Sequence, residues 1–262
     1  MSGILLPASC EEAERFAQCC QWALADALEK EGIGSLGEKP LHAARKAYFG
    51  PNPADREIRF GPFVADIALR DRIIEIQSCN FGALSRKLEL FLAQGPVEVV
   101  YPVVQRKWLC WLDPETGELS DRRRSPKQAG PGEIFRELGH IQPFLGRPGL
   151  SFRVMLVEAE EQRLLCGWSR DRKQGSRRYL LRPMALLGQL ELGCPEDFAC
   201  LIPDSLPQPF TAKEFAKASR LSPSRAGSAV KVLTLLGQLE RDGTRGRAYL
   251  YHRPEGMEPS II

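Results

Sequence analysis

The fold is decided by the stretch Val64-Ala65-Asp66-Ile67-Ala68-Leu69-Arg70-Asp71-Arg72-Ile73-Ile74-Glu75-Ile76-Gln77. Two short apolar runs flank a polar break at Arg70-Asp71, which predicts two antiparallel strands joined by a tight loop. A two-residue loop (70–71) and a four-residue loop (69–72) give the same pairing of the two strands. Both place Asp66 opposite Glu75, on one face of the hairpin.

Two carboxylates that face each other in an apolar hairpin destabilise it unless a counter-ion compensates them. Mg²⁺ is the simplest counter-ion, because it is commonly held by one or two carboxylates together with waters and phosphate oxygens. The alternative is a solvated face, on which most acidic side chains lie. Apolar residues flank both acids, and this favours an interior hairpin. Residues expected on the opposite face are Ala65, Ile67, Ile74 and Ile76.

Length and composition are those of a globular protein with one large domain or two smaller ones. The chain has 262 residues, of which 43% are hydrophobic and 26% are charged. No apolar run approaches the length of a membrane span, and the N-terminus lacks the features of a signal peptide, so we expect a cytoplasmic protein without membrane contact. The 8 cysteines contain no Cys-x-x-Cys pair, and the 3 histidines lie far apart. Zinc-ligand spacing is therefore absent from the sequence.

The segments around the hairpin predict an α/β fold. Helices are predicted over 11–31, 39–48, 81–93 and 132–139, and strands over 57–60, 97–104, 107–113 and 151–165. Ser78 or Asn80 is expected to cap the helix that begins near Phe81. The strand, helix and strand from Ile73 to Val104 predict a crossover with a parallel strand pair. A basic loop over 121–127 is interpreted as a solvated connector, with phosphate contact as the alternative.

Residues 206–262 are predicted to form a small second domain that follows a first domain over 1–205. Thr211 and Glu214 have the spacing of a capping box at the start of a helix. Ser222 is expected to cap a second helix, which runs to about residue 240. A turn over 242–244 then leads into a basic hairpin.

This order of helix, tight turn, helix and basic hairpin resembles the winged helix-turn-helix family over about 206–253. In that family the second helix lies in the major groove of DNA and the wing touches the backbone. Residues 211–253 carry nine Lys or Arg against three acids, which favours DNA over a winged helix that contacts protein. The resemblance implies DNA contacts by Ser224, Arg225, Ser228 and Lys231 on the helix, and phosphate contacts by Arg245 and Arg247 on the wing.

Residues 37–104 resemble the PD-(D/E)XK nuclease superfamily in the order of their elements: a helix with Glu38, a strand with Asp66, a strand with Glu75-x-Gln77, then a helix and a strand. The resemblance implies a restriction-endonuclease-like mixed sheet flanked by helices, and phosphodiester hydrolysis that depends on Mg²⁺ or Mn²⁺. It assigns the metal to Asp66, Glu75, Glu38 and the main-chain carbonyl of Ile76. The metal would activate a bound water and neutralise charge on the phosphate.

Two positions depart from the motif of the superfamily. Ala65 stands where the proline of the name is expected, and Gln77 stands where most members have a lysine. A glutamine can orient a water but adds no positive charge in the transition state. Lys87 on the next helix is a candidate catalytic substitute, because other members move the lysine to a helix. The alternative is that Lys87 is a solvated helix residue.

The sequence therefore predicts a Mg²⁺-dependent, endonuclease-like protein that a winged helix docks on duplex DNA, as a monomer or a homodimer. The two-part layout also resembles uncharacterised bacterial proteins. The alternative function is a non-catalytic DNA-binding regulator that keeps a nuclease fold as a scaffold. An RNA-processing role is a third hypothesis, because nothing in the sequence distinguishes the sugar.

Overall fold

The computed structural model describes residues 3–31, 39–168 and 174–254. Its helices are α1 (Cys10–Glu31), α2 (Lys39–Phe49), α3 (Phe81–Leu92), α4 (Phe135–Leu138), α5 (Ala212–Ser219) and α6 (Pro223–Leu235). Its strands are β1 (Leu5–Pro7), β2 (Arg56–Phe60), β3 (Phe63–Ala68), β4 (Ile73–Ile76), β5 (Val97–Leu112), β6 (Arg123–Arg124), β7 (Leu150–Trp168), β8 (Gln174–Leu192), β9 (Phe210–Thr211), β10 (Glu240–Arg245) and β11 (Ala248–His252). None of the helices in these residues combines the length and the apolar character needed to cross a membrane.

One large mixed sheet forms the centre of the described residues. Its eight strands follow the order β1-β8-β7-β5-β4-β3-β2, with β6 paired to β5. The pairs β4–β5 and β5–β7 are parallel, and the pairs β2–β3, β3–β4 and β7–β8 are antiparallel. Helices α1 and α2 pack in one apolar layer against the sheet, while α3 and α4 pack in a second layer. The predicted α/β class, with a large mixed sheet flanked by helices, is confirmed.

The register predicted for the central hairpin is confirmed by the pairs Ile67–Ile74 and Ala68–Ile73. The loop has four residues, and within it the Leu69 amide donates to the Arg72 carbonyl at 2.9 Å. One detail of the predicted faces is wrong: Ala65 packs in the layer of α3, whereas Ile67, Ile74 and Ile76 pack in the layer of α1 and α2. The hydrogen-bonded ladder between β3 and β4 ends at Ile67. Side chains therefore no longer alternate between the two faces of the sheet in the expected way as far as Ala65.

The predicted strands over 97–104 and 107–113 are one continuous strand, β5. The break that the sequence suggested is a bulge, because the register with β7 shifts between Val104 and Arg106. Strand β8 was not predicted, since it begins with the polar stretch Gln174 to Arg178, and Arg182-Pro183 interrupts the apolar residues that follow. The three long strands β5, β7 and β8 therefore continue past the carboxyl end of the short strand β4.

The start of α3 is capped by a tertiary contact, which corrects the local cap expected from Ser78 or Asn80. Asn80 occupies the cap position in a left-handed conformation, and its side chain makes no capping hydrogen bond. The Phe81 amide instead donates to Glu137 Oε2 of α4 at 3.2 Å. A buried carboxylate 56 residues away thus satisfies a backbone donor at the first turn of α3.

The C-terminal segment consists of two helices and a three-stranded antiparallel sheet in the order β10-β11-β9. The capping box of Thr211 and Glu214 is confirmed, and Ser222 caps α6. Helix α6 ends at Leu235, five residues before the predicted end. The turn expected over 242–244 is wrong as well, since these residues form a bulge within β10 and the chain reverses at Gly246, which has a φ of 64°.

The C-terminal segment shares an apolar layer with α3 and α4. Phe210 and Phe215 belong to the same buried cluster as Ile134 and Phe135. Arg225 of α6 adds an ion pair to this contact, with its Nη1 3.0 Å from Glu133 Oε2. The boundary between residues 205 and 206 stays a prediction.

Candidate functional site

Asp66 and Glu75 meet where strands β3 and β4 diverge. Asp66 Oδ2 accepts a hydrogen bond from the Ile76 amide at 2.9 Å, and Glu75 Oε1 accepts one from the Asp66 amide at 3.1 Å. Each carboxylate therefore binds a backbone donor of the opposite strand, in the gap beyond the last ladder pair. The hairpin register that the sequence predicts is what brings these two side chains together.

Two lysines compensate the charges of the two carboxylates. Lys46 of α2 has its Nζ 2.8 Å from Asp66 Oδ1, and Lys87 of α3 has its Nζ 2.9 Å from Glu75 Oε2. Lys87 also donates to the main-chain carbonyl of Val64 at 2.8 Å. The prediction that Lys87 could be a solvated helix residue is wrong, because its ammonium group is held between β3 and β4.

The two carboxyl groups respond in opposite ways to this environment. Burial acts to raise the pKa of Asp66, but hydrogen bonds from His42, Lys46 and the Ile76 amide outweigh it and hold that pKa well below its usual range. Burial raises the pKa of Glu75, and the neighbouring Asp66 charge adds to this, against the lowering effect of Lys87. Asp66 is therefore ionised at neutral pH, and Glu75 is the carboxyl group of the two that binds a proton more readily.

Of the remaining residues assigned to the metal and to catalysis, Gln77 is placed differently from the prediction. Gln77 lies beyond the end of β4, and its Nε2 donates to the Cys79 carbonyl at 2.6 Å instead of facing the carboxylates. Glu38 lies outside the described residues. Ile76 takes part through its amide, which binds Asp66. In the described part of the chain, no group of three His, Cys, Asp or Glu side chains has metal-binding spacing.

Sequence reasoning missed the contribution of α2. His42 Nε2 lies 3.6 Å from Asp66 Oδ1, and Lys46 also binds Glu57 Oε1 of β2 at 3.1 Å. His42 and Lys46 are four residues apart and so share one side of the helix. They flank the buried stripe of Leu41, Ala44 and Tyr48. The spacing of His42 and Lys46 was the sequence feature that could have indicated this contribution. The strand that the buried stripe covers depends on tertiary packing, which the spacing does not reveal.

The residues predicted to contact DNA do not form one free surface. Ser224, Lys231 and Arg247 are exposed, and Ser228 is half-buried with its Oγ donating to the Ser224 carbonyl at 3.3 Å. Arg225 is directed toward Glu133, as its ion pair shows, and so is a poor base-contacting residue. Arg245 is exposed, with its Nη1 3.0 Å from Glu214 Oε1.

The basic loop over 121–127 runs beside strand β5. Arg122 lies over the Trp108 ring at 4.9 Å from its centroid, and Arg123 lies over the Trp111 ring at 5.0 Å. Both guanidinium groups are on exposed residues, so these stacks leave their outer faces accessible. The loop is therefore exposed to solvent, as the sequence predicts, and two of its arginines stack on tryptophans of β5.

Comparisons with known proteins relate the segment that holds the candidate site to one family. The model of a family described as Domain of unknown function (DUF8091) matches residues 39–193. A protein of Treponema pallidum (strain Nichols), named only as an uncharacterized protein, is 29% identical over 228 residues, which cover 84% of this chain and 87% of the relative. No solved structure matches the chain. The matched residues 39–193 contain Asp66, Glu75 and Lys87.

Proposed function

Because the chain belongs to the DUF8091 family through the segment that holds these carboxylates, we propose that the family domain is a metal-dependent nuclease. The reaction would be hydrolysis of phosphodiester bonds in DNA, with Mg²⁺ or Mn²⁺ as the cofactor. The observation that carries the proposal is the meeting of two carboxylates and one lysine, Asp66, Glu75 and Lys87, at the divergence of two strands.

The order and direction of the elements around this site support the proposal. Helix α2 is followed by the antiparallel strands β2, β3 and β4, then by α3, and β5 returns parallel to β4. The PD-(D/E)XK superfamily resembled in the sequence has the same order, with its acids on the second and third of these strands. A restriction-endonuclease-like fold for the domain is part of the proposal.

Lys87 supplies the positive charge that Gln77 does not. Its ammonium group is bound to Glu75 Oε2, and its side chain is still 28% exposed, so it is accessible from the site. A cation in this position would stabilise negative charge that develops on a phosphate oxygen during hydrolysis. In this proposal the catalytic lysine comes from α3, and Gln77 has no catalytic role.

The donor set fits Mg²⁺, which is usually held by one or two carboxylates with water and substrate phosphate completing its shell. Asp66 and Glu75 would hold the ion, which when bound would acidify a water and offset charge on the phosphate. Lys46 and Lys87 already balance the two carboxylates. A dication therefore needs a further anion to be accommodated, and a DNA phosphate would provide it. We expect metal and DNA to bind cooperatively for this reason.

The test is cleavage of supercoiled plasmid by the purified full chain with Mg²⁺, with Mn²⁺ and with excess EDTA. We expect nicked or linear product with either metal and none with EDTA. Glu75→Gln keeps the size of the side chain and should lose most of the cleavage, because the neutral amide is a weak ligand for a hard cation.

The matched control is Glu89→Gln, which removes an exposed carboxylate from the adjacent helix α3 and should cleave like the parent. Plasmid that stays supercoiled in the presence of every divalent ion tested would overturn the nuclease proposal. Cleavage that persists in Glu75→Gln would assign the activity to a contaminant.

We further propose that the C-terminal segment is a winged helix that docks the domain on duplex DNA. Its support is the order β9, α5, α6, β10 and β11, together with a basic composition. The exposed side of α6 carries Ser224 and Lys231, and the hairpin of β10 and β11 ends in the exposed Arg247. The ion pair of Arg225 with Glu133 removes that residue from the proposed DNA contacts.

Arg247→Ala should weaken the binding of a duplex oligonucleotide by about threefold to tenfold at low salt, since one phosphate contact is lost. The slope of log affinity against log salt should become shallower by about one contact. Fluorescence anisotropy over a salt series, in EDTA to prevent cleavage, measures both. Arg147→Ala, an exposed arginine outside the C-terminal segment, is the control. Identical salt slopes for the parent and Arg247→Ala would exclude Arg247 as a phosphate contact.

A non-catalytic DNA-binding regulator is the second candidate function, and one observation favours it. Each of the four carboxylate oxygens of Asp66 and Glu75 already has a protein donor: Lys46, the Ile76 amide, the Asp66 amide and Lys87. A site satisfied in this way could persist as a structural ion-pair cluster. A regulator would bind duplex DNA at a discrete sequence and leave it intact with every divalent ion.

A further inference from the structure

Three consecutive arginines lie at strand β6 and are exposed to solvent; the β6 arginines are Arg122, Arg123 and Arg124. Within the described part of the chain, none of them forms an ion pair with an acidic side chain. Asp121 precedes them and Lys127 follows, so residues 121–127 carry four cations against one acid. The β6 arginines are therefore a patch of excess positive charge.

Two of the β6 arginines are held in place by tryptophan rings of β5. Arg122 stacks on Trp108, and Arg123 stacks on Trp111. The Trp108 ring is held in turn, because its Nε1 donates to Glu158 Oε1 of β7. A guanidinium group that stacks through its face keeps its N–H donors, which lie in its plane, available to a phosphate. Both cations are thus positioned in advance and lose little conformational freedom when they bind an anion.

The β6 arginines lie on the same edge of β5 as the proposed nuclease site. Strand β7 pairs with β5 over the full length of β5 and occupies its other edge. Strands β4 and β6 both pair with the remaining edge: Glu75 is the partner of Val99, and Arg124 is the partner of Trp108, nine residues farther along. At about 3.3 Å per residue, this separation is about 25 to 30 Å along the strand. One turn of duplex DNA is about 34 Å long, so a single duplex can contact both places.

We propose that the β6 arginines bind the phosphate backbone of duplex DNA, on the same duplex that lies at Asp66 and Glu75. This inference rests on the proposed action on DNA, but it does not require hydrolysis. Duplex DNA carries about one negative charge per 1.7 Å of its axis, which complements a run of adjacent cations. Trp108 and Trp111 are three residues apart on β5 and face opposite sides of it, so the arginines stacked on them straddle the edge. The two strands of a duplex present phosphates to both sides of such an edge, whereas a single strand follows one side.

The test is fluorescence anisotropy of the full chain in EDTA over a salt series, with a labelled duplex of about 24 base pairs, which spans roughly two helical turns. The variant Arg122→Gln combined with Arg123→Gln removes both stacked cations. We expect it to bind duplex about tenfold to a hundredfold more weakly at low salt, with a slope of log affinity against log salt that is shallower by about two contacts. On a single strand of the same length the loss of affinity should be smaller.

A further variant, Arg124→Gln, changes an exposed side chain and leaves both tryptophan stacks intact. It should weaken duplex binding by about threefold to tenfold, as expected for one phosphate contact. The matched control is Arg15→Gln combined with Arg147→Gln. Arg15 and Arg147 are also exposed arginines that stack on aromatic rings, but they lie outside β6. The control removes the same charge as the double variant and should bind duplex like the parent.

The outcomes separate this inference from the proposed function. Parental salt slopes in both β6 variants would overturn the inference and leave the nuclease proposal standing, since plasmid nicking reports on that proposal independently. A parent protein that binds no duplex would overturn the inference together with the proposed docking on DNA. Equal losses of affinity for duplex and single strand would overturn the assignment of duplex DNA, and an equal loss in the control would reduce the effect to net charge.

Discussion

The Asp66→Asn variant is expected to lose at least about a thousandfold of the metal-dependent cleavage rate. Several kcal/mol of transition-state stabilisation depend on the metal, and each 1.36 kcal/mol is about tenfold in rate. Asparagine keeps the shape of the side chain and the oxygen that accepts from the Ile76 amide, so the divergence of β3 and β4 should be preserved. The initial rate of plasmid nicking measures the loss, and a circular dichroism spectrum like that of the parent verifies the fold.

Asp71→Asn is the matched control for this variant. Asp71 lies in the loop of the same hairpin, its side chain is 66% exposed, and it pairs with the adjacent Arg72. The substitution removes the same charge from the same hairpin and should leave cleavage unchanged. If Asp66→Asn cleaves at the rate of Asp71→Asn, the carboxylate of Asp66 is not part of an active site.

Lys87→Met should destabilise the fold by about 3 kcal/mol and lower cleavage by about a hundredfold. The stability loss arises because Glu75 is only 1% exposed and would keep its charge without the cation that compensates it. The rate loss follows from removal of one preorganised cation at the reacting phosphate. Methionine retains most of the apolar stem of the side chain, so the loss reports mainly on the charge. Urea unfolding followed by circular dichroism measures the stability.

The pH dependence of this variant separates a charge effect from a packing effect. Burial already raises the pKa of Glu75 above its ordinary value of 4.5, so the folded state binds the proton more tightly than the unfolded state. Protonation therefore relieves the cost of the unpaired carboxylate. The stability deficit of Lys87→Met relative to the parent should be full at pH 7 and should shrink as the pH falls toward 4.5 and below. A deficit that is constant with pH would indicate lost packing instead.

A double variant tests the same interpretation in another way. Lys87→Met combined with Glu75→Gln removes both charges, and it should recover most of the stability while cleavage stays low. Such non-additivity is expected for two residues that form one ion pair. Equal stability of the single and double variants would show that the Lys87–Glu75 contact contributes little.

The central hairpin was predictable from sequence because its information is local. The apolar residues on either side of Arg70-Asp71 determine the register of the two strands, and this register brings Asp66 close to Glu75. Gln77 could not be placed by the same rule. Strand β4 ends at Ile76, and the side-chain Nε2 of Gln77 donates to the Cys79 carbonyl. Alternation predicts the direction of a side chain only while the strand continues.

The counter-ions of the site were not predictable from local pattern. The sequence correctly required compensation for two facing acids, and it proposed a metal ion as the simplest source. The structure supplies Lys46 from α2 and Lys87 from α3, one from each helix layer that covers the sheet. Which helix residue reaches a given strand depends on the position of the helix across the sheet, and short-range periodicity carries no information on it.

Long-range contacts account for the other differences between prediction and structure. Strand β8 lacks an apolar run at its start, yet it pairs with β7 over most of its length. The cap of α3 comes from Glu137, which is 56 residues away in sequence. In both cases a tertiary partner satisfies backbone or charged groups that local rules would leave exposed.

The apolar layer that joins the C-terminal segment to α3 and α4 has a consequence for cooperativity. Ile134 and Phe135 are fully buried within a cluster that includes Phe210 and Phe215, so separating the two parts would open a hydrophobic surface on each. Because exposing these surfaces costs free energy, the unfolding of the C-terminal segment is coupled to the unfolding of the rest of the protein. Heat or denaturant should therefore unfold both parts in one transition without a plateau, and either half expressed alone should be prone to aggregate.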